Sequence, residues 1–324
     1  MITTTNDDSN VIEIAGAESL YIELANGARA HYMAAGPVTG SPVVLLHGGL
    51  PGSSGAAGWR FMMPALAEAG FRVYAPDRPG FGLSDTRPEY RPIRGHMSWV
   101  QFVKDFVDAL GLERFQIAGN SQGAQCAAYF TVTYPELVER LGMIATSGFN
   151  DAFDIPKEKL TRGTGFPAWE GTKESMKDMM TAIIHRGEAV TDEVLDMRTQ
   201  SAEMQRNSFM AAAKWNRNAA KDPNTKQLLR LKGRLDRLTI PMIYLYGRQD
   251  VLGPVENAYL QEDQMPNVQV FYPDDCGHQG QTDQPEMFNQ VFTEFFSTGT
   301  VSRAAAEWAG VSTRRPVLAS IVTD

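Results

Sequence analysis

Gly119-Asn120-Ser121-Gln122-Gly123 is a G-x-S-x-G pentapeptide lying between an apolar run, FQIAGN, and a helical pattern from Gln122 to about Tyr134. A tight strand-to-helix turn needs small flanking residues and leaves the serine hydroxyl exposed at a helix N-terminus. The pentapeptide alone would also suit an ordinary turn; its place between strand and helix makes Ser121 a candidate nucleophile. A serine hydroxyl needs a base, and the base needs an orienting acid. The chain has five histidines. His278, on a loop after the last core strand pattern, is the expected base. His47 precedes glycines at a strand end, where a structural role fits. His31, His96 and His185 read as ordinary surface or half-buried histidines. Asp250, just beyond the strand pattern PMIYLYG, is the expected acid, giving the order Ser121, Asp250, His278. Asp274 and Asp275 compete with it, but they are too near His278 in the backbone to orient its ring well.

A carbonyl attacked by serine develops an oxyanion, which two preorganised donors must meet. The Gln122 N–H directly follows the nucleophile. The second is expected from the glycine-rich loop His47-Gly48-Gly49-Leu50-Pro51-Gly52, at the Gly49 N–H. No HExxH motif or CxxC pair suggests a metal. The GxG elements at 80–82 and 163–165 lack the helix and third glycine of a dinucleotide site and read as turns, so no cofactor is expected.

The positioning elements follow an alternating rhythm. SLYIELANG and ARAHYMAAG form a hairpin turning at Asn26-Gly27. PVVLLHG is a short apolar run of the kind buried on both faces of a parallel sheet. FRVYAPD, FQIAGNS, LGMIATSG, PMIYLYG and VQVFYPD repeat that pattern, with helices between them, which predicts an α/β fold with a mostly parallel sheet flanked by helices. Residues 11–148 and 236–297 make up this core. Residues 149–235 interrupt it as a helical insertion sized for a lid. Its Met176, Met179, Met180, Met197, Met204 and Met210, near Phe166, Trp169, Phe209 and Trp215, read first as packing and second as an adaptable apolar pocket wall. Residues 298–324 are a tail with one short helix, RAAAEWAG, and no strand. Met1 to about Asn10 reads as a mobile start.

The 324 residues carry 30 Lys+Arg against 38 Asp+Glu, a net charge of −8. That balance excludes the basic face needed to neutralise nucleic-acid phosphates. Cys126 and Cys276 are too few for a disulfide framework. The polar, acidic N-terminus lacks signal-peptide character and no run is long enough to span a membrane, so a cytoplasmic protein with a small-molecule substrate and no membrane partner is expected. Whether it forms a homo-oligomer is left open.

HGG at 47–49, DRPGFGLSD at 77–85, GNSQG at 119–123, GRQDVLGP at 247–254 and CGH at 276–278 together resemble the α/β-hydrolase family. Within it, HGGLPG followed by Trp59, ALAEAGFRVYAPDRPGFGLSD, the asparagine of GNS and an arginine in the lid resemble the meta-cleavage-product hydrolases. These break a C–C bond in 2-hydroxy-6-oxo-dienoates during aromatic degradation. The resemblance implies substrate-binding roles for Asn120 and Arg198 at the acidic dienol end, and for Gly48, Leu50 and Gln279 as neighbours of the site. An exposed helix charge is the competing reading of Arg198, and tolerance of turn backbone that of Asn120. Three features depart from the family pattern: Gln279 replaces a tryptophan after the histidine, Leu50 replaces a third glycine ahead of a longer Ser-Ser-Gly-Ala-Ala-Gly stretch, and the tail has no counterpart. The expectation is a cofactor-free serine hydrolase acting on a small, largely apolar carboxylic acid by C–C hydrolysis. A carboxylesterase for aromatic or alkyl monoesters shares every catalytic residue, and a non-catalytic binding protein shares the fold.

Overall fold

The computed structural model describes residues 3–4, 13–219 and 221–324, with 3–4 and 205–217 described by backbone alone. The strands are β1 (Thr3–Thr4), β2 (Ala17–Glu23), β3 (Arg29–Ala35), β4 (Pro42–Leu46), β5 (Arg72–Pro76), β6 (Phe115–Asn120), β7 (Val138–Ile144), β8 (Met242–Leu245), β9 (Gln269–Phe271), β10 (Val301–Ser302) and β11 (Val322–Thr323). The helices are α1 (Gly55–Trp59), α2 (Met62–Glu68), α3 (His96–Ala109), α4 (Gln122–Thr133), α5 (Phe149–Ala152), α6 (Lys173–Ile183), α7 (Asp192–Ala219), α8 (Pro223–Leu228), α9 (Val255–Glu262), α10 (Gly280–Asp283), α11 (Pro285–Thr298) and α12 (Arg303–Trp308).

Nine strands form one sheet in the order β1-β2-β3-β5-β4-β6-β7-β8-β9. The first three pairings, β1–β2, β2–β3 and β3–β5, are antiparallel. All others in the sheet are parallel. The hairpin turns where expected: Gly27 takes φ +82°, and Asn26 Oδ1 accepts from Ala28 N at 2.9 Å. The central strands are apolar runs because both faces are covered. Val43 to Leu46 of β4 are fully buried, α2 packs with α11, and α3 with α4. From β4 the chain steps one way to β5 and then returns to β6 on the other side. A crevice opens at the carboxyl ends of strands where their order reverses in this way, and ligands bind there. His47 follows β4 and Ser121 follows β6, so both lie at that crevice.

Among the described residues, the segment between β7 and β8 is helical and holds no strand. It contributes a separate apolar cluster: Met176, Met179, Met180, Ile183, Ile184, Val194, Leu195 and Ala202, with Leu50, Val251 and Leu252 of the core loops packed against it. The fully buried Met176, Met179 and Met180 are therefore packing residues. Phe166 is exposed, while Met210, Phe209 and Trp215 lie outside the residues described by side chain. Phe149, Ala152, Phe153, Leu231 and Leu235, at the two ends of the segment, belong to the main core.

The termini differ from expectation. Thr3 and Thr4 are not part of a mobile start but pair with β2; the rest of residues 1–10 lies outside the described residues. The tail forms the expected helix, α12, and also the parallel pair β10–β11. Tyr272 N donates to Gly310 O at 2.7 Å and Ser312 N to Val270 O at 2.9 Å, so the tail satisfies backbone groups along the edge strand β9. Two-residue strands have no alternation to read, and tertiary packing alone creates them.

Because the two apolar clusters are separate, Met180→Ala should loosen only one. We expect a loss of about 2–4 kcal/mol, seen as faster amide hydrogen exchange over residues 173–204 with exchange in β4, β6 and β7 unchanged. Equal acceleration in both regions would show a single cooperative unit.

Candidate active site

Ser121 sits at φ +57°, ψ −121° between β6 and α4. That region costs a non-glycine residue roughly 1–3 kcal/mol and persists only where the surroundings impose it. Here they do. A Cβ on Gly119 would lie 2.2 Å from the Gly123 carbonyl, and one on Gly123 would lie 2.0 Å from Leu46 O. Strand, helix and the end of β4 thus meet backbone to backbone, and Ser121 N closes the turn on Ile144 O at 2.9 Å.

His278 Nδ1 lies 2.7 Å from Asp250 Oδ2, with both side chains buried. Asp250 Oδ1 accepts from Leu252 N at 2.8 Å, which fixes the carboxylate against the ring. His278 Nε2 is buried and makes no hydrogen bond, so it is the ring nitrogen left to accept a proton. No hydrogen bond joins it to Ser121 Oγ; the two residues are linked through Asn120, whose Nδ2 donates to His278 O at 3.1 Å. The competing carboxylates point elsewhere: Asp274 Oδ1 accepts from Gln249 at 2.7 Å, and Asp275 pairs with Arg186 at 3.0 Å and His185 at 3.1 Å.

Over the serine lies the loop after β4. A Cβ on Gly48 would stand 3.5 Å from Ser121 Cβ, and one on Gly49 would collide with the Gln122 side chain. Neither the Gly49 N–H nor the Gln122 N–H donates to a protein acceptor among the described residues. His47 lies behind the loop, as a structural reading expects: Nδ1 donates to Gly48 O at 2.7 Å, and Nε2 accepts from Arg78 N at 3.0 Å.

Arg198 is 2% exposed, which removes the reading of an exposed helix charge. It donates through Nη2 to Gln279 Oε1 at 2.6 Å and through Nη1 to Ser53 Oγ at 3.3 Å. Its Nε is buried without a partner, and no carboxylate pairs with it among the described residues. Burial, aided by the Arg60 charge, pulls its pKa down to about 10, so it is still a cation at neutral pH. Asn120 is also tied into the protein itself. Its amide nitrogen donates to His278 O and, at 3.4 Å, to Ile144 O, so it tethers the histidine loop. Leu50 is half-buried against the apolar cluster of the helical segment.

The family model described as the alpha/beta hydrolase fold matches residues 42–285. The chain belongs to the α/β-hydrolase fold family. It is 30% identical over 292 residues to a 2-hydroxy-6-oxononadienedioate/2-hydroxy-6-oxononatrienedioate hydrolase of Paraburkholderia phymatum, covering 88% of this chain and 98% of the relative. It is 27% identical to a 2-hydroxy-6-oxo-6-(2'-aminophenyl)hexa-2,4-dienoic acid hydrolase of Metapseudomonas resinovorans, over 90% of this chain and 96% of that one. Among solved structures, a meta-cleavage product hydrolase from Pseudomonas fluorescens IP01 superposes with a TM-score of 0.67 at 26% identity, covering 86% of this chain and 98% of that one. The resemblance carried by the HGG, GNSQG and CGH motifs thus holds, and the protein is a hydrolase. Among the described residues no helix is long and apolar enough to cross a membrane.

Within this hydrolase a hydrogen-bonded Ser-His-Asp chain forms away from Ser121. His31 is buried, not at the surface. Its Nε2 lies 2.8 Å from Ser19 Oγ and its Nδ1 2.7 Å from Asp77 Oδ2. Ser19 is part of the regular strand β2, paired with Met33 of β3, and it has no helix N-terminus behind it. Asp77 meanwhile anchors Gly55 N and Leu83 N at 2.7 and 2.8 Å, so the chain fastens the DRPGFGLSD loop to the hairpin. Sequence order hid it, because Ser19 and His31 are joined only by strand pairing. Sequence reasoning also passes over Ser53 and Arg78, because only the tertiary fold gives them their partners.

Burial, reinforced by the Arg78 charge, holds the His47 imidazole down at about 3. The unfolded chain takes up that proton near pH 6.5 and the folded chain does not. The stability present above pH 6.5 is therefore lost as the pH falls towards 3. His47→Asn should flatten the fall in urea-unfolding free energy between pH 6.5 and 4.5 by up to about 1.4 kcal/mol per pH unit. An unchanged slope would mean the imidazole is not buried as a neutral ring.

Proposed function

We propose that this hydrolase cleaves the C–C bond beside the ketone of a 2-hydroxy-6-oxo-dienoate, with Ser121 as nucleophile, His278 as base and Asp250 as its orienter. The observation that carries the reading is Arg198. A guanidinium buried without a counter-charge is costly, and a substrate carboxylate supplies the missing partner through charge-assisted hydrogen bonds. The relatives named dienoate hydrolases act on substrates that bear such a group.

In this reading residues 149–235 act as the lid, and Arg198, projecting from α7 towards Gln279, holds the carboxylate end. The dienol first ketonises, so that the carbon next to the 6-oxo group becomes a leaving centre. Ser121 Oγ adds to the 6-oxo carbon while His278 Nε2 takes the hydroxyl proton. The oxyanion turns to Gly49 N–H and Gln122 N–H. Collapse breaks the C–C bond, its electron pair passing into the conjugated 2-oxo acid as a dienolate, which a proton from His278 quenches. Water, deprotonated by the same nitrogen, then releases the second carboxylic acid and restores Ser121.

A second reading, carboxylester hydrolysis, is favoured by one observation: Gln279 occupies Arg198 Nη2, which leaves the guanidinium fewer free donors for a carboxylate. The two readings separate by kcat/KM on ring-fission dienoates against aromatic and alkyl monoesters. We expect preference for dienoates; preference for esters overturns the C–C reading. Ser121→Ala should lower kcat by about 10³-fold or more, and full activity in a folded variant would remove Ser121 from the chemistry. Arg198→Met should raise KM for dienoates about tenfold or more while sparing neutral esters. Equal effects on both classes would show that Arg198 serves the lid instead of the carboxylate.

A further inference from the structure

The carbonyl oxygen of Gly48 accepts two hydrogen bonds, one from His47 Nδ1 at 2.7 Å and one from Arg78 Nη2. A trans peptide is planar, so its C=O and the following N–H point in opposite directions. Both donors therefore approach the Gly48–Gly49 peptide from behind, and the Gly49 N–H leaves from the other end. That N–H has no protein acceptor among the described residues, and Gly48 itself faces Ser121.

Arg78 is an unusual residue to pin a carbonyl. It is fully buried and pairs with no carboxylate among the described residues. Its guanidinium lies over the Trp99 ring at 4.3 Å and near Phe81 at 5.2 Å. Its Nε and Nη1 are buried without partners. The adjacent Asp77 faces away, engaged by His31, Gly55 and Leu83. A neutral amide would hold a carbonyl without the desolvation cost of a buried cation. The charge itself therefore needs a purpose.

We propose that Arg78 is a positioning residue for the oxyanion hole: its guanidinium polarises the Gly48–Gly49 peptide and aims the Gly49 N–H at the oxygen that becomes negative when Ser121 adds to a carbonyl. A cation on a peptide oxygen increases C–N double-bond character and makes the N–H a stronger donor. In a site shielded from water, its field also reaches the developing oxyanion along the line of the peptide. Arg78 acts on His47 as well. Its backbone N–H, donated to Nε2 at 3.0 Å, leaves the imidazole proton on Nδ1, where it reinforces the same carbonyl. The inference rests on the reading of Ser121 as nucleophile and applies equally to a ketone or an ester.

The test compares wild type, Arg78→Met and Arg78→Lys in three measurements: kcat and KM on the better substrate of the two panels, the affinity of an aryl trifluoromethyl ketone, and the affinity of benzoate. The ketone forms an anionic tetrahedral adduct on a serine; benzoate forms none. Met keeps the apolar stem over Trp99 but removes charge and donor. We expect Arg78→Met to lower kcat and ketone affinity together by about 10²-fold, the scale of one oxyanion donor, with KM and benzoate affinity unchanged. Arg78→Lys should recover about tenfold of both. A folded Arg78→Met with unchanged kcat and ketone affinity overturns the proposal, and so does a loss shared equally by ketone and benzoate. If the Met variant does not fold, Arg78→Lys decides. Ketone affinity weakened about tenfold with benzoate unchanged supports the role, and any other pattern overturns it. Ser121→Ala run alongside separates the two hypotheses: activity surviving in it removes the nucleophile, whereas activity lost in it but kept in Arg78→Met removes only the role of Arg78.

Discussion

The site depends on one backbone contact, that of Gly123 with the carbonyl of Leu46. The helix after the serine can begin only where it lies within touching distance of the end of β4, and there a Cβ would meet the carbonyl oxygen at 2.0 Å. That approach holds Ser121 in a conformation it would otherwise avoid and brings the loop after β4 over its hydroxyl. The hydrophobic sheet supplies the energy. β4 and β6 are buried along their lengths, and burial at about 25 cal/mol per Å² readily outweighs the roughly 1–3 kcal/mol of strain at one residue.

A second set of contacts ties the helical segment to this frame. His278 N donates to Ile183 O at 2.9 Å, so the candidate base is hung directly from the end of α6. Asp283 accepts from Gly277 N at 2.7 Å and from Arg186 N at 2.8 Å, gathering the histidine loop and the α6 end onto one carboxylate. Burial raises the Asp283 pKa while those backbone donors oppose the rise. Arg198 adds its bonds to Ser53 and Gln279. The helical segment is thus fastened at the loops that carry the candidate chemistry. Its own apolar cluster is separate from the main core, with Leu50, Val251 and Leu252 of the core loops packed against it.

What the sequence reveals and conceals follows from the range of each interaction. β4, β6, β7 and β8 are legible because burial on both faces makes them unbroken apolar runs. Ser121, Asp250 and His278 are legible because a strand-to-helix turn and two loop starts mark each position locally. The Ser53–Arg198–Gln279 chain is not, because its bonds cross 145 and 81 positions and no local pattern announces them. Asn120 was legible as a site neighbour but not as a tether for the histidine loop, since that depends on how the loop folds back. The strand pair in the tail was hidden for a simpler reason: two residues cannot display a period.

Two buried cations, Arg78 and Arg198, bond to the loops of the candidate site in a chain whose net charge is −8. Neither has a carboxylate partner among the described residues, although 38 acidic residues are available. Several surface cations here do pair: Arg87 with Asp85, Lys104 with Asp108, Arg230 with Asp154. The contrast has a chemical logic. A carboxylate placed beside either buried arginine would weaken the positive potential there, and on the proposed reading the site would meet negative charge twice, once on the incoming acid and once on the oxygen formed by attack. Arg198 lies on α7, and the proposed role gives it the incoming carboxylate. Arg78 is fully buried and bonded to the Gly48 carbonyl, so in the proposed role it answers the charge that appears in the transition state. An interaction that strengthens only as that charge develops is the kind that accelerates a reaction instead of merely tightening binding.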